Sequence, residues 1–305
     1  GVYGFLGPNG AGKSTTMNVL TGYIGATSGT VKINGYDIFK EPEEAKKNVG
    51  YLPEIPPLYQ DMTVYEYLEF VSKIKKIKKE ERKACIEQSL EMTRTTEVRE
   101  RLIRNLSKGY KQRVGIAQAI MGMPDLIILD EPTVGLDPKQ IIEISDLIWN
   151  LGKEHTVILS SHILTEISEV CENIFIISQG KLVASGREEE LIEELAGENR
   201  IEAIIKGDAN EIENILDKFG CKHSIETFDD EKCKAQIVTS RDIDIREGLF
   251  FALAEKKMPL LELKFKTKSL EDLFIELTTE YKAQPKKKGL KFKKKNSEKL
   301  DDKNL

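Results

Sequence analysis

The chain has 305 residues, enough for about two domains, with 40% hydrophobic and 32% charged residues and a formal net charge of −5. That balance describes a soluble, highly charged protein, and no apolar run approaches the ~18 residues that a membrane-spanning helix needs. Cys85, Cys171, Cys221 and Cys233 are scattered, with no C-x-x-C pair and no His at metal spacing, which argues against a disulfide framework or a zinc site.

The charge is unevenly spread. From Lys282 to Leu305 ten lysines stand against Glu298, Asp301 and Asp302, so a basic tail follows an acidic body. An acidic body offers no ordinary nucleic-acid surface, and the tail's composition predicts disorder over 282–305. The chain opens on Gly1, already inside an expected strand, so a further N-terminal segment is expected.

Val2 to Leu6 reads as a short buried strand. Gly7-Pro8-Asn9-Gly10-Ala11-Gly12-Lys13-Ser14-Thr15 follows and fits G-x-x-x-x-G-K-[ST], the phosphate-binding loop. Its glycines let several backbone N–H groups point into one concavity. Lys13 supplies a compact positive charge for β- and γ-phosphates, and Ser14 a hydroxyl for Mg²⁺. A helix expected from Thr15 adds its positive dipole end to the anion site.

Thr30 to Ile33 and Val49 to Leu52 read as strands, with a tight turn at Asn34-Gly35 and an irregular loop over 53–57. Thr63 with Glu66 forms a capping box ahead of a helix whose apolar stripe is Val64, Tyr67, Leu68, Val71 and Ile74. The lysine-rich run from Lys73 to Lys83 reads as a solvated helical face. A mostly helical stretch extends to Met123. Leu126 to Leu129, Thr156 to Leu159 and Ile174 to Ile177 are apolar runs suited to buried strands with helices between them, which predicts a mostly parallel sheet. Gln179-Gly180 turns a final hairpin into Leu182 to Ala184. Beyond Gly197 the order strand, helix, strand, strand, helix, strand predicts a small ferredoxin-like α+β unit, and a last helix follows over 269–281.

The strand Leu126 to Leu129 ends in adjacent carboxylates. Asp130 is placed to hold Mg²⁺ beside the phosphate loop, and Glu131, pointing the other way, to polarise a water aimed at the γ-phosphate.

These residues, with Leu106-Ser107-Lys108-Gly109-Tyr110-Lys111-Gln112-Arg113, Gly135-Leu136-Asp137-Pro138 and Ser160-Ser161-His162, resemble the ATP-binding cassette (ABC) ATPases. The likeness covers roughly residues 1–190, with the motifs in the family's order. It implies that Ser107 and Gly109 serve as a signature turn, Asp137 as the D-loop residue and His162 as the switch histidine that contacts the γ-phosphate. Glu54 stands where the family usually carries a glutamine that reaches Mg²⁺ or water; its negative charge predicts a slightly weaker or more Mg²⁺-dependent site. Lys108 and Tyr110 depart from the common signature. These variants, with the C-terminal Ser-Leu-Glu-Asp-Leu-Phe, look like the ATPases of ABC-2-type exporters, the gliding-motility and multidrug-export groups among them. The aromatic that stacks on adenine in the family lies upstream of the loop.

The resemblance implies an α/β P-loop NTPase core over 1–197, with a helical subdomain over about 55–123, then an accessory α+β domain over 198–281. It implies ATP and Mg²⁺ as ligands, and ATP hydrolysis at Glu131 with His162 and Lys13. It also implies a homodimer (or a heterodimer with another such ATPase) that sandwiches two nucleotides, and separate membrane permease subunits at the cytoplasmic face of the cell membrane. The alternative is a soluble ABC ATPase acting on nucleic acid or ribosomes.

Overall fold

A computed structural model describes residues 1–195, 198–229, 231–240, 243–266 and 269–283. The tail expected to be disordered lies outside these residues from position 284 on.

The chain begins with β1 (Val2–Leu6), α1 (Lys13–Leu20), the hairpin of β2 (Lys32–Ile33) and β3 (Tyr36–Asp37), α2 (Pro42–Lys47) and β4 (Val49–Leu52). Three helices follow, α3 (Val64–Ile74), α4 (Lys79–Met92) and α5 (Lys108–Ile120), and then β5 (Leu126–Asp130), α6 (Pro138–Gly152) and β6 (Thr156–Ser161). Next come α7 (Leu164–Val170), β7 (Asn173–Ser178), β8 (Lys181–Gly186) and α8 (Glu188–Leu195). These strands form a six-stranded sheet in the order β4-β5-β6-β1-β7-β8, parallel except for the β7–β8 hairpin. The continuous apolar run of β5 is explained by cover on both faces: Ile127, Ile128 and Leu129 are fully buried. Ile144, Leu147, Ile148 and Leu151 of α6 recur at helical spacing and close one side of this core.

Helix α5 lies between two cores. Its Ile116 and Ile120 face the sheet, while Val114 and Ala117 face the helical layer of α3 and α4. The start of α3 is the expected capping box: the Thr63 hydroxyl accepts from Glu66 N at 3.2 Å, and Thr63 N donates to the Glu66 carboxylate at 2.8 Å. Such a cap contributes about 1 kcal/mol. Val64, Tyr67, Leu68 and Val71 are buried as expected, but Ile74 is 62% exposed, because the stripe runs out at the helix's final residue.

The lysine-rich run is not one solvated helical face. Lys76 takes a left-handed φ of 57°, which breaks the helix between α3 and α4. Lys75, just before the break, turns its ammonium inward and donates to the carbonyls of Ala119 at 3.0 Å and Met121 at 2.8 Å. It thereby caps the C-terminal end of α5, where carbonyls lack helical partners and a cation is favoured. Burial pushes its pKa down to about 8.

The second sheet contains β9 (Glu198–Lys206), β10 (Lys222–Asp229), β11 (Lys232–Ser240) and β12 (Leu260–Lys266), with α9 (Ala209–Asp217) after β9 and α10 (Arg246–Glu255) before β12. The order β10-β11-β9-β12 with every pair antiparallel is the ferredoxin-like arrangement. Alternate residues of β9, Ile201, Ala203 and Ile205, pack against Ile212 and Leu216 of α9 and Leu249 and Leu253 of α10. The last helix, α11 (Leu270–Ala283), belongs elsewhere in its packing. Leu270, Phe274 and Leu277 join the core of the first sheet, beside α8 and β7.

Lys75 gives a pH test of this packing. Its folded pKa of about 8 lies below the ordinary 10.5, so the unfolded chain holds this proton to higher pH than the folded one. Stability contributed by this group therefore rises as pH climbs through 8 toward 10.5. Denaturant midpoints of the wild type measured across that window should rise relative to those of Lys75→Met, in which the slope is missing.

Candidate nucleotide-phosphate site

The phosphate loop leaves the C-terminal end of β1 and enters α1 at Lys13, two residues earlier than the Thr15 start expected, because Gly12 at φ 108° makes the turn itself. An L side chain is strained in that conformation. Gly7 is needed for closeness rather than for φ: a Cβ there would lie 2.6 Å from the Ile177 carbonyl oxygen. Asn9, Gly10, Gly12, Lys13, Ser14, Thr15, Glu54 and Glu131 line a single open cavity of about 350 Å³. Pro8 and the buried Ala11 support it from the loop's inner side, where Ala11 N donates to Pro8 O at 3.1 Å. The residues fit an anion: a long ammonium, loop N–H groups, and the exposed Ser14 and Thr15 hydroxyls at a helix start.

Three strand ends meet here. Asp130, 3% exposed, accepts a hydrogen bond from the Ser160 hydroxyl, its neighbour in register on β6. Asp130 also acts on Tyr51, whose pKa is pushed up to about 12 by burial and, secondarily, by the aspartate's negative charge. Glu131 has a left-handed φ of 49°. Its N–H donates to the Ser160 carbonyl at 3.2 Å and to the Ser160 hydroxyl at 3.1 Å, which holds the backbone in that conformation and turns the carboxylate away from Asp130. Each Glu131 oxygen has its own partner. Oε1 lies 3.2 Å from the Lys13 ammonium, and Oε2 accepts from His162 Nδ1 at 2.8 Å. Lys13 also donates to Gly7 O at 2.7 Å, so the loop, the acidic strand end and the histidine form one connected set.

Ser107, Gly109 and Asp137 do not line this cavity and gather in a second cluster. The Ser107 hydroxyl caps α5 by accepting from Tyr110 N at 3.3 Å, and Asp137 caps α6 by accepting from Gln140 N at 3.0 Å. The two helix starts touch. A Cβ on Gly109 would fall 2.8 Å from the Gln140 side chain, Lys108 reaches over Gly135, and Arg113 pairs with Glu143. The remaining histidines are structural: His155 Nδ1 donates to Pro124 O at 2.8 Å and His223 Nδ1 to Cys221 O at 3.1 Å.

Comparison with known proteins matches residues 1–134 to the ABC transporter family. The linearmycin resistance ATP-binding protein LnrL of Bacillus subtilis is 33% identical over 277 residues, 90% of this chain and 89% of that protein. The bacitracin transport ATP-binding protein BcrA of Bacillus licheniformis is 36% identical over 279 residues, 90% of this chain and 88% of its own length. The chain belongs to the ABC transporter ATP-binding subunits. Among solved structures, an ATP-binding subunit of an ABC transporter aligns with a TM-score of 0.57 at 30% identity, over 63% of this chain and 81% of that one. The cbiO1 subunit from Clostridium perfringens, part of the ABC transporter complex cbiONQ, aligns with a TM-score of 0.57 at 28% identity over 64% and 82%. As a member of this family the chain is an ATPase that binds and hydrolyses ATP. No helix among the described residues is long and apolar enough to cross a membrane.

Sequence reasoning passed over several residues of this ABC site. Nothing local in the sequence marks Ser160, Ser161 or Glu166, whose partners lie on other elements. The nearest thing to a signal is the position of Glu166 four residues after His162, although i and i+4 share a face only if the helix has begun by then.

The Lys13 assignment is open to direct test. Lys13→Ala removes the ammonium that lines the cavity and should weaken binding of a fluorescent ATP analogue at least ~10-fold, the scale of a lost charge-assisted contact. Undiminished affinity in that titration would take Lys13 out of phosphate binding.

Proposed function

We propose that this subunit hydrolyses ATP at Glu131, in a dimer that closes around two nucleotides and drives separate permease subunits of an ABC-2-type exporter. The observation that carries the reading is the Glu131 carboxylate, held between the Lys13 ammonium and the His162 ring at the mouth of the phosphate loop. A carboxylate so placed can take a proton from a water directed at the γ-phosphate. His162 fixes its orientation, and Lys13 places positive charge where phosphate charge accumulates.

The donor set also suits Mg²⁺. The Ser14 hydroxyl, the Asp130 carboxylate and the Glu54 carboxylate supply hard oxygens, few enough to leave room for water and phosphate oxygens, as this ion prefers. When bound, Mg²⁺ neutralises and orients the β- and γ-phosphate oxygens. Among the described residues no group of three or more His, Cys, Asp or Glu forms a metal cluster by itself, which agrees with a site completed by the nucleotide.

The second cluster supports a dimer. Ser107 and Gly109 open α5, with N–H groups suited to an anion, yet they stand apart from their own chain's cavity. We assign them, with Asp137, to the nucleotide bound by the opposing copy. Residues 1–197 would then form the ATPase domain, with 55–123 as its helical subdomain. Within the stretch 198–281, residues 198–266 would be an accessory domain while α11 packs back on the ATPase core, and the whole would sit at the cytoplasmic face of the membrane. The names of the relatives, bacitracin transport and linearmycin resistance, favour transport over action on nucleic acid or ribosomes.

With Mg-ATP, Glu131→Gln should lower turnover at least ~100-fold, within the range for loss of a general base, and should run as a dimer in size exclusion with light scattering. A monomer with normal turnover would remove both Glu131 and the sandwich. The same variant used as bait in detergent-solubilised membranes should recover a multi-span membrane protein; recovery of ribosomes or DNA in its place would promote the soluble alternative.

A further inference from the structure

Glu166 is a buried carboxylate, 7% exposed, on α7, and it stands outside the lining of the phosphate cavity. One of its oxygens, Oε2, accepts two hydroxyls, Thr133 Oγ1 at 2.7 Å and Ser161 Oγ at 2.8 Å. Both donors are buried, Thr133 at 5% and Ser161 at 0% exposure. Their places in the chain give the contact its meaning. Thr133 lies two residues after Glu131, at the start of the turn that leads to Asp137, where Leu136 N donates to Thr133 O at 3.1 Å. Ser161 immediately precedes His162, and its oxygen also accepts from Ile163 N at 3.0 Å, so the backbone is fixed on both sides of that histidine.

The contacts close into a ring. From Glu131 the chain runs through Pro132 to Thr133, whose hydroxyl reaches Glu166. Glu166 reaches the Ser161 hydroxyl, the chain passes to His162, and His162 Nδ1 returns to the Glu131 carboxylate at 2.8 Å. We propose that Glu166 is a positioning residue for hydrolysis: through Thr133 and Ser161 it sets the register between the strand ends that carry Glu131 and His162, and thus the alignment of that pair. The inference rests on the reading of Glu131 and His162 as the hydrolytic pair. A structural carboxylate could satisfy the same two hydroxyls, but its loss would disturb nucleotide binding and chemistry together. The phosphate loop touches the ring at two points, Gly7 N donating to the Ser161 carbonyl at 3.3 Å and Lys13 meeting Glu131 through Oε1, and neither uses the Glu166 contacts or the Oε2 that His162 holds, so loss of the Glu166 contacts should fall chiefly on kcat.

The experiment is ATP turnover as a function of ATP concentration for the full chain, Glu166→Ala, Glu166→Gln and Thr133→Val, with His162→Ala as reference. Glu166→Ala should lower kcat by ~30- to 100-fold with KM within ~2-fold, the scale of an ~1 Å misplacement of reacting groups. Glu166→Gln should stay within ~5-fold of wild type, because both hydroxyls meet a single oxygen that its amide carbonyl retains. Added to His162→Ala, Glu166→Ala should cost less than ~2-fold more, as expected of residues acting as one unit. A Gln variant as slow as Ala, a parallel loss in KM, or full additivity with His162→Ala would overturn the proposal. Should Glu166→Ala fail to fold, Thr133→Val carries the same test: kcat down ~5- to 10-fold at constant KM, with an unchanged kcat counting against the ring. If His162→Ala itself turns over normally, the hydrolytic pair is the assignment that fails, and the ring falls with it.

Discussion

The parallel register of β1, β5 and β6 is the constraint on which the rest depends. Leu6 pairs with Ser161 and Asp130 with Ser160, so three strands finish level at one edge of the sheet. Gly7 begins the phosphate loop one residue beyond Leu6, Glu131 follows Asp130, and His162 follows Ser161. Residues far apart in sequence thus arrive within a few ångströms of each other because backbone hydrogen bonds set the offset, with little left to side-chain choice. This is the carboxyl edge at which open parallel sheets bind their ligands. A slip of one residue between β5 and β6 would turn Asp130 and Glu131 to opposite faces from those they now occupy.

Within that frame, the conformation of Glu131 is expensive and well supported. A left-handed non-glycine residue costs about 1–2 kcal/mol, and here the donor that would otherwise be stranded by the turn is held by both the carbonyl and the hydroxyl of Ser160. The same hydroxyl donates to Asp130, so Ser160 ties together the two acidic neighbours while directing their carboxylates apart. One small side chain separates the carboxylate we assign to a metal from the one we assign to a water.

Much of this was legible in the sequence for local reasons. The phosphate loop, the capping box at Thr63 and the turn at Asn34-Gly35 are written in consecutive residues whose backbone needs are unusual, and the last appears as the hairpin with Asn34 at φ 51° and Gly35 at φ 88°. The alternation of β9 and the apolar run of β5 likewise announce their burial. The residues that escaped depend on partners distant in the chain. Lys75 sits in a run that looks solvated, and its role as a cap follows from α5 ending opposite it, across 44 residues of chain to Ala119. The helix break at Lys76 carries no glycine or proline to announce it. Glu166 meets Thr133 only because α7 packs against β6 and β1.

Helix α11 gives the second sheet an unusual attachment. The chain leaves the first core after α8, builds the ferredoxin-like unit, and comes back to bury Leu270, Phe274 and Leu277 beside α8 and β7. The unit is therefore spliced into the ATPase core at both ends and does not hang from it like a pendant. Cutting the chain at the boundary expected near Gly197 would strip a lid of apolar side chains from the core, whereas excising the four strands and rejoining the flanks would leave that lid in place. The boundary that the order of elements marks and the boundary that packing draws are two different lines through the same chain.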